Sequence, residues 1–134
     1  MSNPRISGEF WRGKRVFVTG HTGFKGSWLS VWLRAVGAEV YGYALPPNTT
    51  PALFHQAEVA TDLRQNFEGD IRDRDCLRQA IELVKPEIVF HLAAQPLVLD
   101  SYRSPLETYE LNVMGTAYLL DLCRQLESVR AIVV

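Results

Sequence analysis

The sequence predicts an α/β domain in which strands and helices alternate to give one parallel, doubly wound sheet. Three observations carry that prediction. An apolar run at residues 16–18 leads into Thr19-Gly20-His21-Thr22-Gly23-Phe24-Lys25-Gly26-Ser27, and Leu29, Trp32, Leu33 and Val36 follow at helical spacing. Further strand-like runs recur at 39–44, 64–69, 87–94 and 129–134, with helical patterns between the later ones. The run at 87–94 is apolar without alternation, which suits a parallel strand covered on both faces.

Taken in order, residues 1–13 read as a polar N-terminal arm whose Phe10 and Trp11 pack onto the domain, and residues 14–134 as the domain itself. The first strand covers 14–19 and the first helix 24–36, closed by Gly37 as the left-handed residue after its end. The second strand is 39–44. A Pro/Thr/Asn-rich connection, marked by Pro46, Pro47 and Pro51, replaces a full helix and carries one helical turn at 53–56. A short third strand at 64–69 ends in Asp70. The helix at 72–85 places Leu77, Ala80, Ile81 and Val84 on one face and stops at Pro86. After the fourth strand, a loop at 95–104 leads to a long helix at 105–125, opened by Pro105. That helix is apolar on more than one face, which suits either a subunit contact or packing inside a larger domain. The fifth strand begins at Val129, and the expected order is 3-2-1-4-5, truncated after its start.

Composition bounds the function. The 134 residues allow one domain with a real core, and 47% hydrophobic with 22% charged residues is ordinary for a globular chain. A formal net charge of −1 argues against a nucleic-acid or membrane-surface role. Arg72, Arg74 and Arg78 are expected along the outer face of one helix. Cys76 and Cys123 lie far apart with no Cys-x-x-Cys and no spaced His/Cys set, so neither a disulfide framework nor a metal site is indicated. A reduced, cytoplasmic setting is expected, with no leader-like apolar segment at the start and no run of about 18 apolar residues.

The three glycines at intervals of three carry the chemistry. Each lacks a Cβ and so permits a tight turn or a close approach, and the helix that follows offers unpaired N–H groups and a positive dipole end to a pyrophosphate. Gly-Lys-Ser/Thr never occurs, because Lys25 precedes Gly26, so a nucleotide-triphosphate loop is disfavoured. Gly20, Thr22, Gly23, Phe24, Lys25 and Gly26 are therefore candidate cofactor contacts. Asp70 and Ile71 at the end of the third strand are candidates for the adenine, with an N-cap for the next helix as the alternative role of Asp70. Leu92, Ala93, Ala94 and Gln95 at the end of the fourth strand leave space for a cofactor, or for close helix–sheet packing. The acidic residue that usually ends the second strand and holds the adenosine ribose is missing; Ala44 stands there, with no arginine for a 2′-phosphate, a weak lean to NAD. Lys25 is read as a phosphate contact or a solvated side chain, His21 as a turn residue, and His55 and His91 as loop and core residues.

Thr19-Gly20-x-x-Gly23-x-x-Gly26, Gly69-Asp70-Ile71-Arg72-Asp73, His91-Leu92-Ala93-Ala94 and Asn112-Val113-x-Gly115-Thr116 together resemble the extended short-chain dehydrogenases/reductases of the NAD-dependent epimerase/dehydratase family that act on nucleotide sugars. Gly20-His21-Thr22-Gly23-Phe24-Lys25-Gly26-Ser27-Trp28-Leu29 and His91-Leu92-Ala93-Ala94-Gln95-Pro96-Leu97-Val98, supported by Ser101-Tyr102 and Pro105-x-x-Thr108, are similar to the CDP-glucose 4,6-dehydratases within it. The resemblance implies a Rossmann-type domain, bound NAD, CDP-glucose as substrate, and a homo-oligomer when complete. It implies oxidation at C4, loss of water across C5 and C6, and hydride return to C6, giving CDP-4-keto-6-deoxyglucose for the deoxysugars of bacterial surface polysaccharide. It assigns Asn112 an architectural role. The chain departs from the family at Leu99 and Leu111, where arginine and threonine are expected, and each change removes a polar group near the site.

The family's catalytic Tyr-x-x-x-Lys does not occur: Tyr41, Tyr43, Tyr102, Tyr109 and Tyr118 all lack a lysine four residues on. Hydride loss from an alcohol requires a base for the accompanying proton. No catalytic residue is therefore assigned within these residues, no metal ligand either, and the stretch by itself is expected to be inactive. Another nucleotide-sugar dehydratase or epimerase, or a non-catalytic NAD-binding module, are the alternative readings.

Overall fold

The computed structural model describes residues 8–134; the first seven residues of the expected arm lie outside the described residues. Strands β1 (Arg15–Thr19), β2 (Glu39–Ala44), β3 (Gln65–Glu68), β4 (Ile88–His91) and β5 (Ala131–Val133) form one parallel sheet in the order β3-β2-β1-β4-β5. The expected fold class and strand order are therefore observed. Helices α1 (Gly8–Trp11), α2 (Phe24–Ala35), α3 (Leu53–Gln56), α4 (Val59–Asp62), α5 (Arg74–Val84), α6 (Val98–Arg103), α7 (Pro105–Tyr109) and α8 (Gly115–Cys123) surround it.

Strand side chains alternate between faces, and this produces two cores. Val16, Val18, Val40 and Ile88 pack against Leu33 and Leu29 of α2, with Trp11 and Phe90 at the margin. Phe17, Tyr43 and Val89 point the other way, onto Leu77, Ala80, Ile81 and Val84 of α5 and Leu119 and Leu122 of α8. Each fully buried Leu, Phe or Val contributes about 1.5–3 kcal/mol, so both faces of the central strands are held. Trp11 meets Trp32 edge-on at 5.7 Å and lies 6.4 Å from Phe90, which seats α1 at the foot of α2.

Several elements differ from expectation, each for a local reason. β4 stops at His91, so Leu92, Ala93 and Ala94 form the loop beyond it. The loop at 95–104 contains α6, and α4 follows the expected turn α3. The long helix is interrupted: Glu110–Met114 is a π-helical segment between α7 and α8. Leu119 and Leu122 face the core, while Leu106, Tyr109, Val113 and Met114 remain exposed. Arg72 is not on a helix face; it precedes α5 and is held against Asp70. Among the described residues no helix is long and apolar enough to cross a membrane, and both cysteines are free thiols.

Candidate dinucleotide crevice

The three glycines of the turn do three different jobs. Gly20 (φ +74°) donates its N–H to the Tyr43 carbonyl at 3.0 Å, and a Cβ there would sit 2.6 Å from the Ala93 nitrogen. Gly26 is buried, and a Cβ would overlap the Gly20 carbonyl oxygen. Both permit close packing inside the protein. Gly23 is exposed, and a Cβ there would meet only the Gly20 oxygen, at 3.4 Å. It is the N-cap of α2, with no side chain capping the helix and no acidic residue in the first turn. The N–H groups and dipole of the α2 N-terminus thus face an open edge, a geometry that suits an anion and leaves it sterically unobstructed. Phe24 and Lys25 flank that edge, both exposed, and Lys25 enters no ion pair among the described residues.

His21 lies beneath the turn, not at its edge. It is fully buried, its ring lies against Gly42 of β2, where a Cβ would overlap the imidazole, and Phe54 of α3 meets it edge-on at 5.5 Å. Its Nε2 donates to Asn66 Oδ1 at 2.6 Å, while Nδ1 is buried without a partner. Burial lowers the His21 pKa, outweighing the Asn66 bond that opposes it, so the ring is neutral. Thr22 is also structural: its hydroxyl donates to the Leu45 carbonyl at 2.8 Å, tying the turn to the exit of β2.

The β4 side is polar and fully paired. The Thr19 hydroxyl oxygen accepts the N–H groups of Leu92 and Ala93, both at 3.2 Å, and gives its proton to His91 Nδ1 at 2.6 Å. The Thr116 hydroxyl donates to the Asn112 carbonyl at 2.6 Å, so its oxygen accepts from His91 Nε2 at 2.9 Å. The bonds fix a neutral ring protonated on Nε2, in keeping with burial, which lowers the His91 pKa. Asn112, in the π-helical segment, accepts the Gln95 N–H at 2.8 Å and donates to the Gln95 carbonyl at 3.0 Å. The extra residue in that turn is a common device at functional sites. The Gln95 side chain folds back on Leu97 and Thr108.

Asp70 is at the exit of β3, where Tyr43 donates its hydroxyl to the Asp70 carbonyl at 3.0 Å. The helix cap, however, is Asp73, whose carboxylate accepts the Cys76 N–H. Asp70 instead accepts the Arg72 N–H at 2.9 Å and pairs with its guanidinium at 2.6 Å, which holds the carboxyl below its ordinary pKa. Ile71 is buried against Gly115 of α8, so only its main chain is left to meet a ligand.

The exits of β1, β2, β3 and β4 therefore meet through Gly20–Tyr43, Gly20–Ala93 and Tyr43–Asp70. A cavity of about 210 Å³ continues from Thr22 along Ala44 and Leu45 to Glu68. A hollow of about 420 Å³ between Arg34, Asp62 and Arg64 is at the opposite, N-terminal end of the strands, away from the turn. Among the described residues no group of three or more His, Cys, Asp or Glu is placed to hold a metal. Sequence reasoning quoted Thr19 and Thr116 within motifs without giving either a role, and it passed over Asn66. The one signal available was Gly42, since glycine inside a strand marks a close approach.

A family model described as GDP-mannose 4,6 dehydratase matches residues 17–134. The chain is 57% identical over 128 residues to CDP-glucose 4,6-dehydratase of Salmonella typhimurium, covering 96% of this chain and 35% of that protein. It is 35% identical over 118 residues to GDP-mannose 4,6-dehydratase of Vibrio cholerae, covering 84% and 32%. UDP-glucose 4-epimerase of Thermus thermophilus, solved in complex with NAD, superposes with a TM-score of 0.74 at 32% identity, covering 87% of this chain and 36% of that one. The chain spans about a third of the length of these relatives. Its match runs from the middle of β1 through β5, and the chain belongs to the GDP-mannose 4,6-dehydratase family of nucleotide-sugar dehydratases.

Proposed function

We propose that the chain is the NAD-binding portion of a dehydratase that converts CDP-glucose to CDP-4-keto-6-deoxyglucose. The observation that carries this reading is the 57% identity, over 96% of the chain, to a CDP-glucose 4,6-dehydratase. The NAD of the Thermus epimerase, a relative of 32% identity, supports the cofactor. NAD+, when bound, accepts and later returns a hydride. The residues here bind and orient. Gly20, Gly23 and Gly26 bring the backbone and the α2 N-terminus to the pyrophosphate, and Lys25 offers it a positive charge. Thr22 holds the turn to β2. Asp70 and Ile71 border the adenine, and Arg72 keeps the Asp70 carboxylate ionised and fixed. Leu92, Ala93, Ala94 and Gln95 line the path towards the nicotinamide, held by Thr19 and Asn112. No tyrosine here has a lysine four residues on, so the proton-accepting base lies outside these residues and the stretch alone turns over no sugar.

The experiment is mass analysis of CDP-glucose incubated with NAD+ and either these 134 residues or a longer natural product of the same gene. Loss of one water with the longer form and no change with the shorter one is expected. An isomerised sugar of unchanged mass, separated from CDP-glucose by chromatography before the mass is read, would replace the dehydratase reading by an epimerase; the solved epimerases of the same fold make that the second reading. Failure of the 134-residue protein to bind NAD+ in calorimetry would remove the cofactor assignment.

A further inference from the structure

The exit of β2 lacks the carboxylate that ordinarily holds an adenosine ribose, and the methyl group of Ala44 accepts no hydrogen bond. We infer that Glu68, one strand over, takes that role: it binds the ribose hydroxyls and selects a dinucleotide without a 2′-phosphate. The assignment rests on the dinucleotide reading above and adds to it a specificity residue that follows from sheet register.

Ala44 and Glu68 are partners in the parallel β2–β3 pairing, so their side chains leave the sheet on the same face. They line one cavity of about 210 Å³ together with Leu45 and Thr22. Because Thr22 belongs to the glycine turn, the cavity starts where a pyrophosphate ends, which is where the attached ribose must lie. Among the described residues Glu68 is the only carboxylate on its wall, no lysine or arginine lines it, and His55 is the one other ionisable side chain there. Glu68 is exposed and enters no ion pair among the described residues, so its oxygens remain available as acceptors. Asn66, two residues earlier on the same face, is already committed to His21. A ribose hydroxyl pair would donate to Glu68, whereas a 2′-phosphate would meet a like charge with no cation nearby to offset it.

The test is calorimetric titration of the protein, and of Glu68→Gln and Glu68→Arg, with NAD+, NADP+ and 2′-deoxy-NAD+. Both substitutions are at an exposed position, and unchanged thermal unfolding midpoints check that the fold is kept. The parent is expected to bind NAD+ at least about tenfold more tightly than NADP+ or the 2′-deoxy analogue. Glu68→Gln should lose about tenfold for NAD+ and little for the other two, closing the gap. Glu68→Arg should turn the preference towards NADP+. Unchanged ratios in Glu68→Gln, with NAD+ still bound, would overturn the Glu68 assignment alone. A parent protein that binds none of the three would overturn the dinucleotide reading, and the Glu68 assignment with it.

Discussion

On one side of β1, His91 has a threonine hydroxyl at each ring nitrogen, at 2.6 and 2.9 Å, and those hydroxyls in turn hold the backbone of Leu92, Ala93 and Asn112. On the other side, His21 has a single hydrogen bond, to Asn66, and is otherwise enclosed by Gly42 and Phe54 with Nδ1 unpaired. Both rings are buried beside the end of the same strand. The β4 side is thus held by a closed chain of directional bonds, and the β2 side by shape. A polar network is costly to break at any member, whereas a shape fit fails mainly when volume is added.

Thr19→Val tests the first half of that contrast most severely. It keeps the shape but strands His91 Nδ1 and the Ala93 N–H, while the Leu92 N–H keeps the Thr19 main-chain carbonyl at 3.0 Å, and it should lower stability by about 2–4 kcal/mol in urea unfolding. A loss below about 1 kcal/mol would show that the network carries little. Gly42→Ala tests the second half: the added methyl overlaps the His21 ring, and about 1–3 kcal/mol should be lost. Pairing it with His21→Ala should recover part of that loss, because the smaller side chain removes the overlap.

Acidification acts on both sides. Burial holds each histidine below the ordinary value of 6.5, so the unfolded chain binds protons first. Their contribution to stability is complete above that value and is lost as pH falls from about 6.5 towards the folded values, by at most about 1.4 kcal/mol per pH unit for each ring. Unfolding midpoints measured at about pH 7.5 and about pH 5.5 should therefore differ in favour of the higher pH, and His91→Gln should reduce the difference; a flat profile would mean that neither ring is buried neutral. Asn66→Ala should have the smallest effect, about 1 kcal/mol, since it removes one hydrogen bond at an exposed strand. A loss equal to that of Thr19→Val would abolish the asymmetry between the two sides.

Much of the frame was readable from periodicity and glycine spacing. The turn from Gly20 to Gly26, the face of α5 and the strand order all follow from short-range patterns that a linear chain displays. The extent of β4 was overread because Leu92, Ala93 and Ala94 continue its apolar run, while their backbone is diverted to Thr19 and Asn112 lies against Gln95. Asp70 and Asp73 are both plausible caps by composition, and the nearby Arg72 guanidinium decides that Asp70 forms an ion pair and Asp73 the cap. The π-helical segment left no signature, since Leu111 to Met114 suit an α-helix equally well.

The order of residues by itself determined the fold class, the open glycine turn and the absence of a Tyr-x-x-x-Lys pair, because each depends on neighbours within a few positions. Only the tertiary structure decided that His21 is packed away beneath the turn, that His91 is neutral and fully paired, and that Glu68 stands beside Ala44. Those outcomes depend on partners distant in the chain, Gly42, Asn66, Thr19 and Thr116 among them, and sheet register and helix docking bring them together.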